Sequence, residues 1–366
     1  MTPPTEFFAC SDVTIWQGDS RTAWQHLPEQ SVDAIVTSPP YFGLRDYGVG
    51  AGWIGGDEGH NHDDEARDDI IGLERACPCG AVWSAGQVGL EPSPDEYVND
   101  LADLLTGYGE RVLKPGGSLW LNLGDTYSAI SSASGSPSRT LVGTDQGVRG
   151  TPHRTLTKRP DFPAKCLLMI PERVALALIS RGWILRNRVV WAKPNGMPSS
   201  VRDRLATKHE ALFHLVRQPM YFYDLDAIRQ PYSPNTESFL AMKAKWQENR
   251  TKEARMGEEM KSANKNPNDG LGPGQKLNPA GANPGDVWTI PTQPYPDAHF
   301  AVFPPELVRR PILATVPEGG TVLDPFFGSG TTGVMARRLG RRTVGVELSA
   351  DYCALAADRF RQDVLL

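Results

Sequence analysis

Nowhere does the chain run to the roughly 18 consecutive apolar residues that a membrane-spanning helix requires, so a protein that works outside the bilayer is expected. Met1 to Phe8 lacks the basic start and apolar centre of a secretion signal, which makes the cytoplasm the expected compartment. Cysteine is scarce: Cys10, Cys77, Cys79, Cys166 and Cys353 are an odd number spread over 366 residues, which argues against a secreted disulfide framework. Reduced thiols or a metal site suit them better. An excess of basic charge is missing too, since 38 Lys and Arg face 43 Asp and Glu and the formal charge is -5. Any polyanion must then be held by locally basic surfaces. No internal repeat is present.

What the chain does have is an alternation of strands and helices at both ends. Val13 to Trp16, Val32 to Val36, Ser118 to Leu123, Ile184 to Lys193, Glu210 to Arg217, Thr321 to Leu323 and Thr343 to Glu347 read as strands. Helices are expected over Thr22 to Leu27, Pro94 to Leu113, Pro171 to Ser180, Pro304 to Ala314, Thr332 to Leu339 and Ala350 to Arg361. The pattern predicts one α/β domain over residues 1–366, Rossmann-like, with a mostly parallel sheet covered by helices on both faces. Three stretches interrupt it. Residues 50–88 combine turn residues with an acidic run, residues 128–165 are basic and rich in Ser, Gly, Thr and Pro, and residues 233–285 are polar with a helical island around Glu237 to Lys261.

Near the C-terminus, Val322-Leu323-Asp324-Pro325-Phe326-Phe327-Gly328-Ser329-Gly330-Thr331-Thr332 reads as a strand, a glycine turn and a helix start. Gly328 and Gly330 allow a ligand close to the backbone, and the free amides of the helix start suit an anionic group. Glu347 ends the next strand about twenty residues on, where an acidic side chain can accept both hydroxyls of a ribose. No lysine follows the glycines, which speaks against a triphosphate. Gly328, Gly330 and Glu347 are therefore candidate cofactor contacts.

A second feature lies where the Val32 to Val36 strand ends. In Ser38-Pro39-Pro40-Tyr41 two prolines hold a rigid turn whose carbonyls have no competing local amides and can accept protons from a substrate amino group. Ser38 adds a hydrogen bond and Tyr41 a flat face for a base taken out of a helix. On this reading the Tyr41 hydroxyl is dispensable and Tyr41→Phe should be mild.

Together, Thr37 to Tyr41 followed much later by Asp324 to Thr332 resembles the amino-group DNA methyltransferases of the beta class, in which the catalytic motif precedes the cofactor motif. The resemblance extends over most of the chain, through Gly18-Asp19, Leu119 to Asp125, Val189 to Lys193, Asp286-Val287-Trp288, His299 to Leu307 and Glu347. It implies a seven-stranded sheet, S-adenosylmethionine as cofactor with Asp324, Pro325, Phe326, Gly328, Ser329, Gly330, Thr331 and Glu347 around it and Asp19 near its adenine, and Ser38, Pro39, Pro40 and Tyr41 around the target base. Ser rather than Asp at position 38 is the variant that in this family goes with cytosine N4, with adenine N6 as the alternative. Double-stranded DNA is the implied substrate and a cognate restriction enzyme the implied partner.

The chemistry such an enzyme faces is mainly one of positioning, because an exocyclic amine is a poor nucleophile while a sulfonium methyl is already electrophilic. Acceptors at Ser38 and Pro39 would turn the nitrogen pyramidal and aim its lone pair. No cysteine nucleophile is called for. His60, His62, Cys77 and Cys79 fall within twenty residues and are candidate ligands of a structural zinc, although the Cys pair is one residue closer than in the usual zinc knuckle. The 139–165 loop with Arg202, Arg204 and Lys208 is the expected phosphate-binding surface, and 233–285 the expected base-reading segment. Methylation of an RNA or protein amine, and a non-catalytic zinc-stabilised DNA-binding protein, are the readings left open.

Overall fold

The computed structural model describes residues 3–43, 52–54, 75–76, 82–84, 86–91, 93–128, 162–196, 201–233, 238, 242, 278–292 and 304–362. They fall into two compact units, Met1–Tyr223 with Asp286–Leu366, and Asp224–Gly285.

The first unit is built on a nine-stranded sheet of β1 (Thr5–Ala9), β2 (Val13–Gln17), β3 (Val32–Thr37), β7 (Leu113–Leu123), β8 (Ile184–Ala192), β9 (His209–Val216), β10 (Val287–Thr289), β11 (Thr321–Asp324) and β12 (Arg342–Glu347). Their order is β1-β2-β12-β11-β3-β7-β9-β8-β10. Only β1 and β9 run against the others. Among the described residues the sheet has nine strands where seven are expected. The seven inner strands match the expectation, and the additions are the two edges: β1, folded back on β2, and β10, beside β8. Short strands β4 (Gly52–Ile54), β5 (Arg75–Ala76) and β6 (Val82–Ser84) form a separate antiparallel sheet inside the expected insertion.

Alternation along the central strands sends residues to two cores. Ile35, Leu119 and Leu121 pack on one face with α2 (Pro94–Arg111) and α3 (Ile170–Ser180), while Ala34, Val36 and Trp120 pack on the other with α4 (Pro305–Thr315) and α5 (Thr331–Arg338). A third cluster sets α6 (Ala350–Gln362) against Val13, Ile15 and Phe327. The helix α2 starts as its sequence dictates: Ser93 Oγ accepts from the Glu96 amide at 3.1 Å, Pro94 occupies the first turn, and Tyr97, Leu101, Leu104, Leu105 and Tyr108 are buried on one face. The short α1 (Ser20–Ala23) begins two residues earlier than its pattern suggests, because Asp19 caps it.

Lys114 to Gly117, read from sequence as a break between α2 and the next strand, lie inside β7 as a bulge. Val32 pairs with Leu113 but Ala34 with Ser118, which leaves Lys114, Pro115, Gly116 and Gly117 opposite one residue of β3. A proline is tolerated there because a bulge asks no ladder bond of it. No helix among the described residues is long and apolar enough to cross a membrane.

In the second unit, the 3-10 turn Asp226–Ile228 is held to the segment around Gly281 by the Gln230–Ala282 bridge, by Arg229 Nη1 donating to Gly281 O at 2.9 Å, and by Tyr232 Oη donating to Asn278 O at 3.2 Å. The helical island expected over 237–261 lies outside the described residues apart from helical positions 238 and 242.

Candidate active site

Parallel pairing decides where the motifs meet. Because β2, β12, β11, β3, β7 and β8 run the same way, Asp19, Glu347, Asp324, Ser38, Gly124 and Lys193 all follow or end strands at one edge of the sheet. The reversed strand β9 brings its first residues, His209 and Glu210, to that same edge. Two halves of a motif separated by almost 300 residues thus become neighbours. Thr37 Oγ1 donates to Asp324 Oδ1 at 2.6 Å, joining the residue before Ser38 to the first residue of the glycine turn.

The candidate cofactor residues divide into those that face outward and those that brace the turn. Asp324 is 1% exposed and saturated from within: its carboxylate accepts from Thr37 Oγ1, from Thr332 Oγ1 at 2.6 Å and from the Phe326 amide at 3.0 Å. Burial pushes its carboxyl up to about 7. Pro325, Ser329, Gly330 and Thr331 are buried as well. Pro325 O accepts from Ser20 Oγ, and Ser329 O from Arg359 Nη1 at 2.6 Å. Phe326, Gly328, Glu347 and Asp19 are half-buried. Gly328 has φ +51, and a Cβ built there meets nothing within 4 Å, so this backbone edges an open space. Glu347 receives the Gly328 amide at 2.7 Å and the Ser349 amide at 2.8 Å, and burial raises its carboxyl above the usual range. Each of its oxygens keeps a lone pair for a further donor. Asp19 caps α1 and pairs with Arg21 at 2.6 Å, and Arg21 Nη2 also donates to Gly86 O at 2.5 Å.

At the candidate catalytic turn, Ser38, Pro40 and Tyr41 are half-buried and Pro39 is buried. Tyr97 Oη donates to Pro40 O at 3.0 Å, whereas no described residue donates to Pro39 O. The Tyr41 ring lies against Gly124, where an added Cβ would sit 2.5 Å from Cε2. Its hydroxyl is not idle. It is 2.8 Å from Glu210 Oε2, 2.9 Å from Asn122 Oδ1 and 3.4 Å from Ser38 Oγ, and Ser38 Oγ is itself 3.4 Å from Asn122 Oδ1. Glu210 forms an ion pair with Lys193 Nζ. Burial, then the Glu210 carboxylate, push the phenol of Tyr41 well above its ordinary range.

Sequence reading did not find Asn122 or Glu210. Leu119 to Asp125 and Val189 to Lys193 carried the resemblance but no role, and Glu210 becomes part of the site only through the antiparallel register that sets Ala211 opposite Leu123. The phosphate-binding candidates Arg202, Arg204 and Lys208 are exposed on the segment between β8 and β9, at the same edge. Arg204 stacks 3.7 Å over the Tyr127 ring, and Lys165 pairs with Asp203 at 2.5 Å. His60, His62, Cys77 and Cys79 lie outside the described residues, as do 139–161 of the basic loop and most of 233–285.

A family model described as DNA methylase, of the N6 and N4 methyltransferases, matches residues 32–358. The Type II methyltransferase M.SmaI of Serratia marcescens is 36% identical over 346 residues, which cover 93% of this chain and 88% of that protein. M.Cfr9I of Citrobacter freundii, also a Type II methyltransferase, is 34% identical over 352 residues, covering 95% and 87%. Among solved structures, the PvuII DNA methyltransferase (cytosine-N4-specific) superposes with a TM-score of 0.56 at 17% identity, covering 97% of this chain and 88% of that one. A Thermus thermophilus protein, TTHA0409, solved in complex with S-adenosyl-L-methionine, gives 0.50 at 20% identity, covering 97% and 95%. These two likenesses are of fold.

Proposed function

We propose, from the premise that this chain belongs to the N6/N4 DNA methylase family, that it transfers a methyl group from S-adenosylmethionine to the N4 amino group of a cytosine turned out of double-stranded DNA. The observation that carries the reading is the pair of acceptors at the end of β3. The Ser38 hydroxyl has acceptors for its proton in Asn122 and Tyr41, and no described residue donates to the Pro39 carbonyl, so lone pairs remain at both positions of one turn. An amino group is the substrate that such a pair can hold by both of its N–H bonds. Cytosine is preferred to adenine because position 38 is Ser.

The residues on the open side of the glycine turn suit the cofactor. Glu347 offers lone pairs to a ribose diol, the bare backbone at Gly328 admits a ligand, and Phe326 offers an apolar face. When bound, the cofactor supplies an electrophilic methyl on a sulfonium. The chain's own work is to hold the amine, to direct its lone pair by the Ser38 and Pro39 acceptors, and to keep the turn rigid through Asp324. Nucleosides from DNA incubated with the enzyme and labelled cofactor test the assignment. N4-methylcytosine is expected, N6-methyladenine would replace the base while leaving the mechanism, and 5-methylcytosine would remove both, since carbon methylation needs a covalent nucleophile.

The exposed segment between β8 and β9 is assigned to phosphate contact, and residues 233–285 to base reading. Replacing Arg202 and Lys208 together by alanine should weaken DNA binding alike for cognate and non-cognate duplexes. Each lost phosphate contact flattens the plot of log affinity against log salt by roughly 0.9. A salt slope unchanged in the double variant would take the segment out of the interface.

A further inference from the structure

The hydroxyls at the catalytic turn form a chain with a direction. Tyr41 Oη lies within reach of two acceptors, Glu210 Oε2 at 2.8 Å and Asn122 Oδ1 at 2.9 Å, but a phenol has one proton to give. Asn122 Nδ2 donates to Ala211 O at 3.1 Å, which fixes the amide with its oxygen toward the turn. Glu210, paired with Lys193, is the stronger acceptor because it is ionic. Tyr41 therefore donates to Glu210 and leaves its own lone pairs for Ser38. Ser38 in turn gives its one proton to Tyr41 or Asn122 and keeps its remaining lone pairs for a further donor.

We propose that Ser38, Tyr41 and Glu210 form a proton path that takes the proton released on amine methylation to the Glu210 carboxylate, with Lys193 as the counter-charge. The path rests on the amino-group methylation proposed above. When the amine nitrogen takes up the methyl, its lone pair becomes the N–C bond, the electron pair of the broken C–S bond leaves with sulfur, and the nitrogen holds a surplus proton. Ser38 Oγ accepts that proton and releases its own to Tyr41 Oη, which releases its own to Glu210 Oε2. One proton enters, one ends on the carboxylate, and no free tyrosinate forms. That last point fits a phenol whose ionisation is suppressed by burial. A protonated amino group on a base is a strong acid and a carboxylate a far better base, so the relay runs downhill. The Glu210 side chain is 16% exposed, which gives the proton an exit to solvent. Asn122 holds the geometry but takes no proton, because an amide oxygen is too weak a base.

Glu210→Gln keeps the shape and removes the charge. Single-turnover methyl transfer at saturating DNA and cofactor should fall by about 100-fold, the low end for losing a general base, with DNA and cofactor affinities unchanged. Tyr41→Phe should fall comparably, and the double variant no further than the worse single one, since both cut one path. In DNA-free protein labelled with 13C at tyrosine Cζ, the Tyr41 resonance, identified by its loss in Tyr41→Phe, should shift in Glu210→Gln. An unmoved resonance, wild-type transfer by Glu210→Gln, or losses that multiply in the double variant would overturn the path. A wild-type protein that methylates no amine in DNA would instead overturn the reaction, and the path with it.

Discussion

Asp324→Ala is expected to lose cofactor binding and on the order of 3 to 5 kcal/mol of folding stability, because it strands three buried donors at once. Thr37 Oγ1, Thr332 Oγ1 and the Phe326 amide all give their protons to this carboxylate. Asp324→Asn, nearly the same shape but neutral, should keep the fold. The two variants also make a pH prediction. In the folded protein the Asp324 carboxyl sits at about 7, held up by burial, against about 3.9 in an unfolded chain. A raised acid binds its proton more tightly when folded, so its stabilising contribution is complete at acid pH and fades as pH climbs from about 4 to about 7. Asn at the same place has no such slope. Urea denaturation of both proteins across that window should show wild type losing up to about 4 kcal/mol relative to Asp324→Asn. A gap that stays constant with pH would mean that the carboxylate keeps its ordinary affinity for the proton.

From sequence, Asp324 reads as a ligand contact, and the reason it reads so is instructive. An acid that opens a glycine turn after a strand is chemically indistinguishable, in one dimension, from an acid that closes the turn on itself. Only the packing of β3 beside β11 brings Thr37 to it and shows that the side chain points inward. Glu347 has the same kind of sequence signal and the opposite placement, half-buried at the end of β12.

Most inner strands are legible because they carry a largely buried apolar run closed by turn residues, and β8, with Arg186 to Arg188 exposed, is legible from its Val189-Val190-Trp191 end. β1 is not, since Thr5–Ala9 is mostly exposed and carries no alternation toward a core. β10 has three residues, too few for any period. Asn122 and Glu210 show a deeper limit. Asn122 sits in the apolar second half of β7 and Glu210 is the second residue of β9, and neither spacing nor composition marks them. Their role comes from the antiparallel ladder between β7 and β9, which pairs Asn122 with Leu212 and so sets Glu210 just beyond Leu123, beside Gly124 and Tyr41. Sequence alone gives Tyr41 a face and no use for its hydroxyl, and the partners of that hydroxyl are the two residues the sequence does not mark. Tyr41→Phe is accordingly expected to be costly rather than mild.

Gly124→Ala isolates that arrangement from the rest of the fold. Gly124 follows β7 directly, and the Cβ it lacks would stand 2.5 Å from Cε2 and 2.7 Å from Cδ2 of the Tyr41 ring. Contacts so short cannot be kept, and the ring is the part that yields, since it is held at its far end only by the 2.8 Å hydrogen bond from its hydroxyl to Glu210. A displacement of about an ångström breaks that bond and carries the Ser38–Tyr41 turn with it. Misplacement on that scale costs on the order of 100-fold in rate. Cofactor affinity should hold, because Glu347, Phe326 and Gly328 belong to strands and turns on the other side of β3. The expected result is therefore a fall in single-turnover rate of about 100-fold with an unchanged cofactor Kd and a thermal midpoint close to wild type. Combining Gly124→Ala with Tyr41→Ala removes the ring that clashes. If crowding of Tyr41 is the cause, the pair should be no slower than Tyr41→Ala alone. A double variant much slower than Tyr41→Ala would show that Gly124 serves the reaction by some contact other than the space it leaves for the tyrosine.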